Sequence, residues 1–170
     1  MYTQVIGKSM PHGQAGSYAR QPDMIVNTRP AGGKTEIPFG SPLVYDSTGN
    51  AVVVMGDSAT AAQFVGVACR EIKTSLNYLE QGAGAYAPTE AVPVFQRGSI
   101  NVKCQKGAPK LGGKVYVRIK ANPSYSTAAV GGFEAEEDTT NTVELTNCQW
   151  VGAADANGIA ELRILTMNNA

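Results

Sequence analysis

The sequence predicts an all-β fold: a jelly-roll-like sandwich or a small antiparallel barrel of about nine or ten short strands, with an extended N-terminal arm. Three observations carry this. Short runs of β-branched and aromatic residues recur from Ile37 onward. Turn-forming residues separate them, and 19 glycines and 9 prolines are spread through the 170 residues. Strand-like segments do not alternate with long helix-like ones, which argues against a doubly wound parallel sheet.

Residues 1–36 read as the arm. Gly, Pro, Ser, Gln and Asn dominate, Pro11, Pro22 and Pro30 break any helix, and the apolar patches at Val5-Ile6 and Met24-Ile25-Val26 are short. Such a segment lies extended on its own domain or on a partner. Residues 37–170 read as the β domain. PLVYD (42–46) and AVVVM (51–55) flank the turn signal STGN, so they predict a hairpin turning near Gly49-Asn50. QFVGVACREI (63–72) is a strand in which Gly66 marks a bulge or a close backbone approach.

SLNYLEQ (75–81) suits one or two helical turns, and GAGAY (82–86) a loop. AVPVFQ (91–96) and SINVKC (99–104), with a turn at Arg97-Gly98, predict a second hairpin whose Pro93 belongs at an edge or a strand start. KVYVRIK (114–120) alternates strictly: Val115, Val117 and Ile119 share one face, and Lys114, Tyr116, Arg118 and Lys120 form a polar one. VELTNCQW (143–150) is a further strand, DANG (155–158) a turn, and IAELRIL (159–165) the last strand, with a slip that suggests a bulge near Ala160-Glu161.

Composition bounds the function. A chain of this length buries roughly 68–70% of its unfolded surface and needs no disulfide or metal to fold. Fourteen basic residues cancel fourteen acidic ones, and charged residues make up 16%. Lys and Arg are scattered, not massed on one stretch as a nucleic-acid binder requires, so no direct nucleic-acid contact is expected. Cys69, Cys104 and Cys148 lie far apart without a CxxC pair, which predicts reduced, structural thiols. The N-terminus shows no signal-peptide core, and no run approaches a membrane span.

Catalytic constellations do not assemble. GKT at 33–35 is the tail of a phosphate loop, but Thr28 stands at its first glycine position, and Pro38 and Gly40 forbid the helix that must follow. GAPKLGGK (107–114) fails in the same way. The single histidine, His12, sits between Pro11 and Gly13 in the arm, a poor place for a triad or a zinc ligand, and reads as an exposed or interface residue. Glu134, Glu136, Glu137 and Asp138 cluster in a turn-like segment and read as a solvated loop. No cofactor and no metal are expected, and the chain is not expected to be an enzyme.

The motifs that remain are turn-plus-strand devices. They are x-F-x-G-V-A (Gln63 to Ala68), T-E-x-V-x-V (Thr89 to Val94), R-G-x-I-x-V (Arg97 to Val102) and G-x-x-V-Y-V (Gly112 to Val117). With SMPHGQAGSYARQPD and IPFGSPLVYD, they make the chain resemble the head cement, or decoration, proteins of tailed bacteriophages over most of its length. The resemblance implies a virion structural protein, made in the host bacterial cytoplasm and placed on the outer surface of the head. It implies the major capsid protein as partner, bridging of capsid subunits against internal DNA pressure, and a dimer or trimer. Tyr18, Arg20 and Arg29 are the candidate contacts, because Tyr and Arg anchor interfaces. An exposed β edge also suits pairing with a capsid strand. The alternative is a host- or carbohydrate-binding module of the head-fibre or adhesin kind.

Overall fold

The structure, a computed structural model, describes residues 11–71 and 84–168. Among these the chain is all-β, with no α-helix and three single turns of 3-10 helix. Twelve strands follow in order: β1 Ile25–Pro30, β2 Ile37–Pro38, β3 Pro42–Tyr45, β4 Val52–Val54, β5 Phe64–Ala68, β6 Ala85–Tyr86, β7 Ala91–Lys106, β8 Tyr116–Arg118, β9 Phe133–Glu134, β10 Thr142–Glu144, β11 Cys148–Trp150 and β12 Ile159–Ile164. The helical turns expected at 75–81 lie outside the described residues.

The first expected hairpin forms. Leu43 faces Val54, Val44 faces Val53 and Tyr45 faces Val52. Asp46 organises the turn, because its Oδ1 accepts from the amides of Thr48, Asn50 and Ala51. Gly66 sits at an irregularity in the β3–β5 register, and any Cβ there would collide with the Phe95 carbonyl. Both readings of that glycine therefore hold.

The second expected hairpin does not form. Residues 91–106 run as one strand of 16 residues, β7, around which the sheet is organised. Gly98 carries φ +108, yet the chain bends there without reversing. The reason lies in the partners. Before Gly98, β7 is held by β1 on one side and by β5 on the other. From Gly98 to Lys103 it is held by β12, and at Cys104 and Lys106 by the parallel β9. A reversal at Arg97-Gly98 would forfeit these ladders. Pro93 accordingly lies inside a long strand, between β1 and the end of β5, and not at an edge.

Other expectations fail for related reasons. Ala85–Tyr86, expected as loop, pairs with Ile37–Pro38 as β6. The run 143–150 breaks at Leu145, whose carbonyl accepts from Cys148 N at 3.1 Å, so that β10 serves β8 and β11 serves β12. No bulge exists at Ala160-Glu161. The register runs unbroken from Ile159↔Lys103 to Ile164↔Gly98, and the alternation fails because both faces of β12 are covered.

The core has two parts. Phe64, Phe95, Phe133, Trp150, Ile100 and Leu162 anchor the larger one, and Leu43, Val52, Tyr86, Val92 and Val94 the smaller. β7 feeds both, so it ties the two halves together. Each fully buried large apolar side chain contributes about 1.5–3 kcal/mol.

Candidate functional site

The N-terminal stretch binds its own sheet through backbone groups before any side chain is considered. Gly16 N donates to Asn101 O at 2.7 Å, Asn101 N to Ser17 O at 2.9 Å, and Ala19 N to Ser99 O at 3.1 Å. Upstream, the Asn101 side chain donates to His12 O at 2.7 Å, and His12 N donates to Asp155 Oδ2 at 3.0 Å. Asp155 also accepts from Ile159 N, and these amide bonds hold its carboxyl below the usual carboxylate range. The histidine is thus docked on the β11–β12 turn. Downstream, Ile25–Pro30 pairs along β7. Residues 33–35 form the expected bend.

The three candidate contact residues are placed differently. Tyr18 packs its ring on Phe95, with centroids 5.8 Å apart, and its hydroxyl donates to Glu71. Burial first, and then the Glu71 bond, push its phenol above the usual range. Arg20 grips Glu161 through Nε at 2.6 Å and Nη2 at 3.1 Å, while its own side chain stays 66% exposed. Arg29 is exposed, and its guanidinium donates to the neighbouring carbonyl of Thr28 at 3.2 Å. Nearby, Arg97 and Arg163 share one carboxylate, Asp23, at 3.2 and 3.1 Å. The structure therefore gathers Arg20, Arg97 and Arg163 beside the start of β1 and sets Arg29 at its end. Sequence reasoning read Arg97 only as a turn residue and named neither Arg97 nor Arg163 as a contact. Their signal, one arginine at a glycine kink and one on an alternating strand, becomes visible only once β1 and β12 flank β7.

The acidic cluster is not a solvated loop throughout. Glu134 is fully buried on β9, and Arg118, read as part of a polar outer face, is fully buried on β8. Arg118 Nε donates to Glu134 Oε1 at 2.6 Å and Nη2 to Glu134 Oε2 at 3.0 Å. Arg118 Nη2 also reaches Asp138 at 2.7 Å, and Lys106 stands 3.8 Å from the same carboxylate. Asn122 donates to both Asp138 oxygens, and this bond, ahead of that from Arg118, pushes the Asp138 carboxyl down to about 2. Two cations and two carboxylates so neutralise one another. A pair of carboxylates facing each other across a cleft is a different arrangement. Among the described residues no group of three His, Cys, Asp or Glu converges as metal ligands would.

A groove of about 670 Å³ opens between the segment after β2 and the loop before β9, bordered by Phe39, Val54, Lys103, Gln105, Val130 and Phe133. Leu111, Leu165 and Met167 are large apolar side chains left exposed, Leu111 at 81%. No helix among the described residues is long and apolar enough to cross a membrane.

A family model described as structural cement protein (E217 gp24/Pam3 gp6) matches residues 2–165. No curated protein sequence matches the chain. Among solved structures the chain is similar to one from "The capsid of Myoviridae Phage XM1", with a TM-score of 0.69 and 14% identity over 98% of each chain. At that identity the likeness is one of fold.

Proposed function

The chain belongs to the phage structural cement protein family, and from that premise we propose that it binds the outside of the phage head and bridges neighbouring major capsid protein subunits. The observation that carries this reading is the family match across nearly the whole chain, residues 2–165. The fold shared with a chain of a phage capsid supports it. So does the surface, where exposed arginines and apolar side chains offer binding groups.

Bridging stabilises a shell by mass action. Each copy adds buried area across a seam between subunits, and a few kcal/mol per copy is multiplied by the many copies on one head. The protein acts by binding, as a homo-oligomer, without catalysis, cofactor or direct contact with the packaged DNA. Tyr18 contributes by holding the N-terminal stretch in place, and Arg20 and Arg29 by facing the shell. Co-sedimentation with expanded heads that lack this protein tests the proposal. Saturable binding at a fixed copy number, with heads that then withstand heating better, is expected. Binding to glycans but not to heads of any maturation state would favour the adhesin alternative.

A further inference from the structure

We propose that the outer edge of β1 is the docking strip for the shell protein, which adds one extended, acidic segment there as a further strand. This rests on the cement reading above and says where and how the contact is made. The argument begins with Pro93. It faces Thr28 across the β1–β7 ladder, it has no N–H, and its carbonyl accepts from Cys69 N at 2.9 Å on the opposite side. Thr28 therefore receives nothing from Pro93, and its own N–H and C=O point away from β7.

The next pairs agree. Phe95, which faces Val26, is committed to Val67 of β5. Ala31, in phase with Arg29 and Asn27, exchanges bonds inward with Glu90 O at 2.7 Å and Thr89 N at 2.9 Å. Val26, Thr28 and Pro30 so direct their backbone groups outward. Among the described residues β7 is the one strand paired along β1, β4 meets its far end through the Ala31↔Val52 bridge, and residues Asn27 to Pro30 are exposed. The amides and carbonyls of Val26 and Thr28 stand in a row, and among the described residues only the Thr28 carbonyl has a partner, the Arg29 guanidinium. Beyond them β4 closes the edge at the Ala31↔Val52 bridge, where Gly32 N donates to Val52 O at 2.8 Å. An extended backbone is the ligand with the matching spacing.

Charge selects the occupant. The rim of this edge carries four arginines, Arg20, Arg29, Arg97 and Arg163, against three carboxylates, Glu161, Asp23 and Glu90, the last beside Ala31. Arg29 makes no ion pair among the described residues. β1 itself, IVNTRP, contains no acid, so a second copy laid on the same edge would place nothing opposite Arg29. An acidic strand of another protein would. Pro30 and Arg29 also discourage indiscriminate strand addition, which narrows what the edge admits.

The test compares wild type, Thr28→Pro and Arg29→Glu for binding to expanded heads that lack this protein, with thermal unfolding and sedimentation to follow fold and oligomeric state. Proline at 28 removes an outward amide and spares the ladder to β7. Each variant is expected to bind heads about tenfold more weakly at unchanged fold and oligomeric state. Wild-type binding should also weaken with salt, and Arg29→Glu binding less so. If Thr28→Pro unfolds, Arg29→Glu decides. Wild-type binding matched by both variants overturns the edge proposal and leaves the cement reading standing. A loss of self-association at unchanged head binding also overturns it, because the edge then serves a second copy. Failure of the wild type to bind removes the cement reading first.

Discussion

Arg118 and Glu134 meet on adjacent strands with both side chains at 0% exposure, joined by two parallel hydrogen bonds at 2.6 and 3.0 Å. Neither charge can turn to water, so each depends on the other. Breaking such a pair from one side costs about 3–5 kcal/mol, whereas replacing both members with apolar residues is often near neutral. Glu134→Leu is expected to lose that amount in urea unfolding. Adding Arg118→Met is expected to restore most of it, since Asp138 keeps Lys106 and Asn122. A double variant no more stable than Glu134→Leu would show that the pair holds the fold through something besides charge.

Asp138 makes the same network sensitive to acid. Its folded carboxyl is depressed to about 2, below an unfolded value of about 3.9. A depressed acid contributes stability that is fully present above the unfolded value and lost as pH falls through the folded one. The protein should therefore lose stability between about pH 4 and pH 2, and Asp138→Asn should flatten that part of the curve. Equal slopes for wild type and variant, measured by thermal unfolding across this range, would assign acid sensitivity to other groups.

The three thiols should separate by access. Cys69 and Cys148 are buried, and Cys104 is half-buried. Desolvation pushes the Cys69 thiol up to about 12 and raises those of Cys148 and Cys104. Because only the thiolate reacts, native protein should label first at Cys104, with Cys69 and Cys148 following on unfolding. Mass spectrometry after timed alkylation reads the order.

Gly98 is the position at which β7 bends. It has φ +108, and a Cβ there would run into the carbonyl of Asp23. Gly98→Ala combines backbone strain with overpacking, each about 1–3 kcal/mol, and should destabilise by roughly 2–6 kcal/mol. A loss under about 1 kcal/mol in denaturant unfolding would mean that β1 can shift away from β7 at little cost, which its long pairing argues against.

Much of this fold was legible in local patterns. The 42–55 hairpin followed from β-branched runs around a turn rich in Asp, Ser, Gly and Asn. The role of Gly66 followed from a glycine inside an apolar strand, and the turn at Asp155 from its DANG sequence. The family resemblance rested on such turn-plus-strand motifs. What misled was also local. Arg97-Gly98 has the composition of a hairpin turn, and nothing near it reveals that β1, β5, β9 and β12 all hold the surrounding strand. Arg118 stood in a strictly alternating strand, where a polar face ordinarily meets water.

The sequence by itself determined the all-β class, most strand positions and the family, because period-two patterning and turn chemistry act within a few residues. Only the tertiary structure decided that β7 continues through Gly98 without reversing. It alone buried Arg118 against Glu134, set Arg97 and Arg163 around Asp23, and left the outer side of β1 from Val26 to Thr28 without a strand among the described residues. Each of these depends on which strands become neighbours. That choice is made by ladder pairing and charge neutralisation between residues as far apart as Asp23 and Arg163, and no local window contains it.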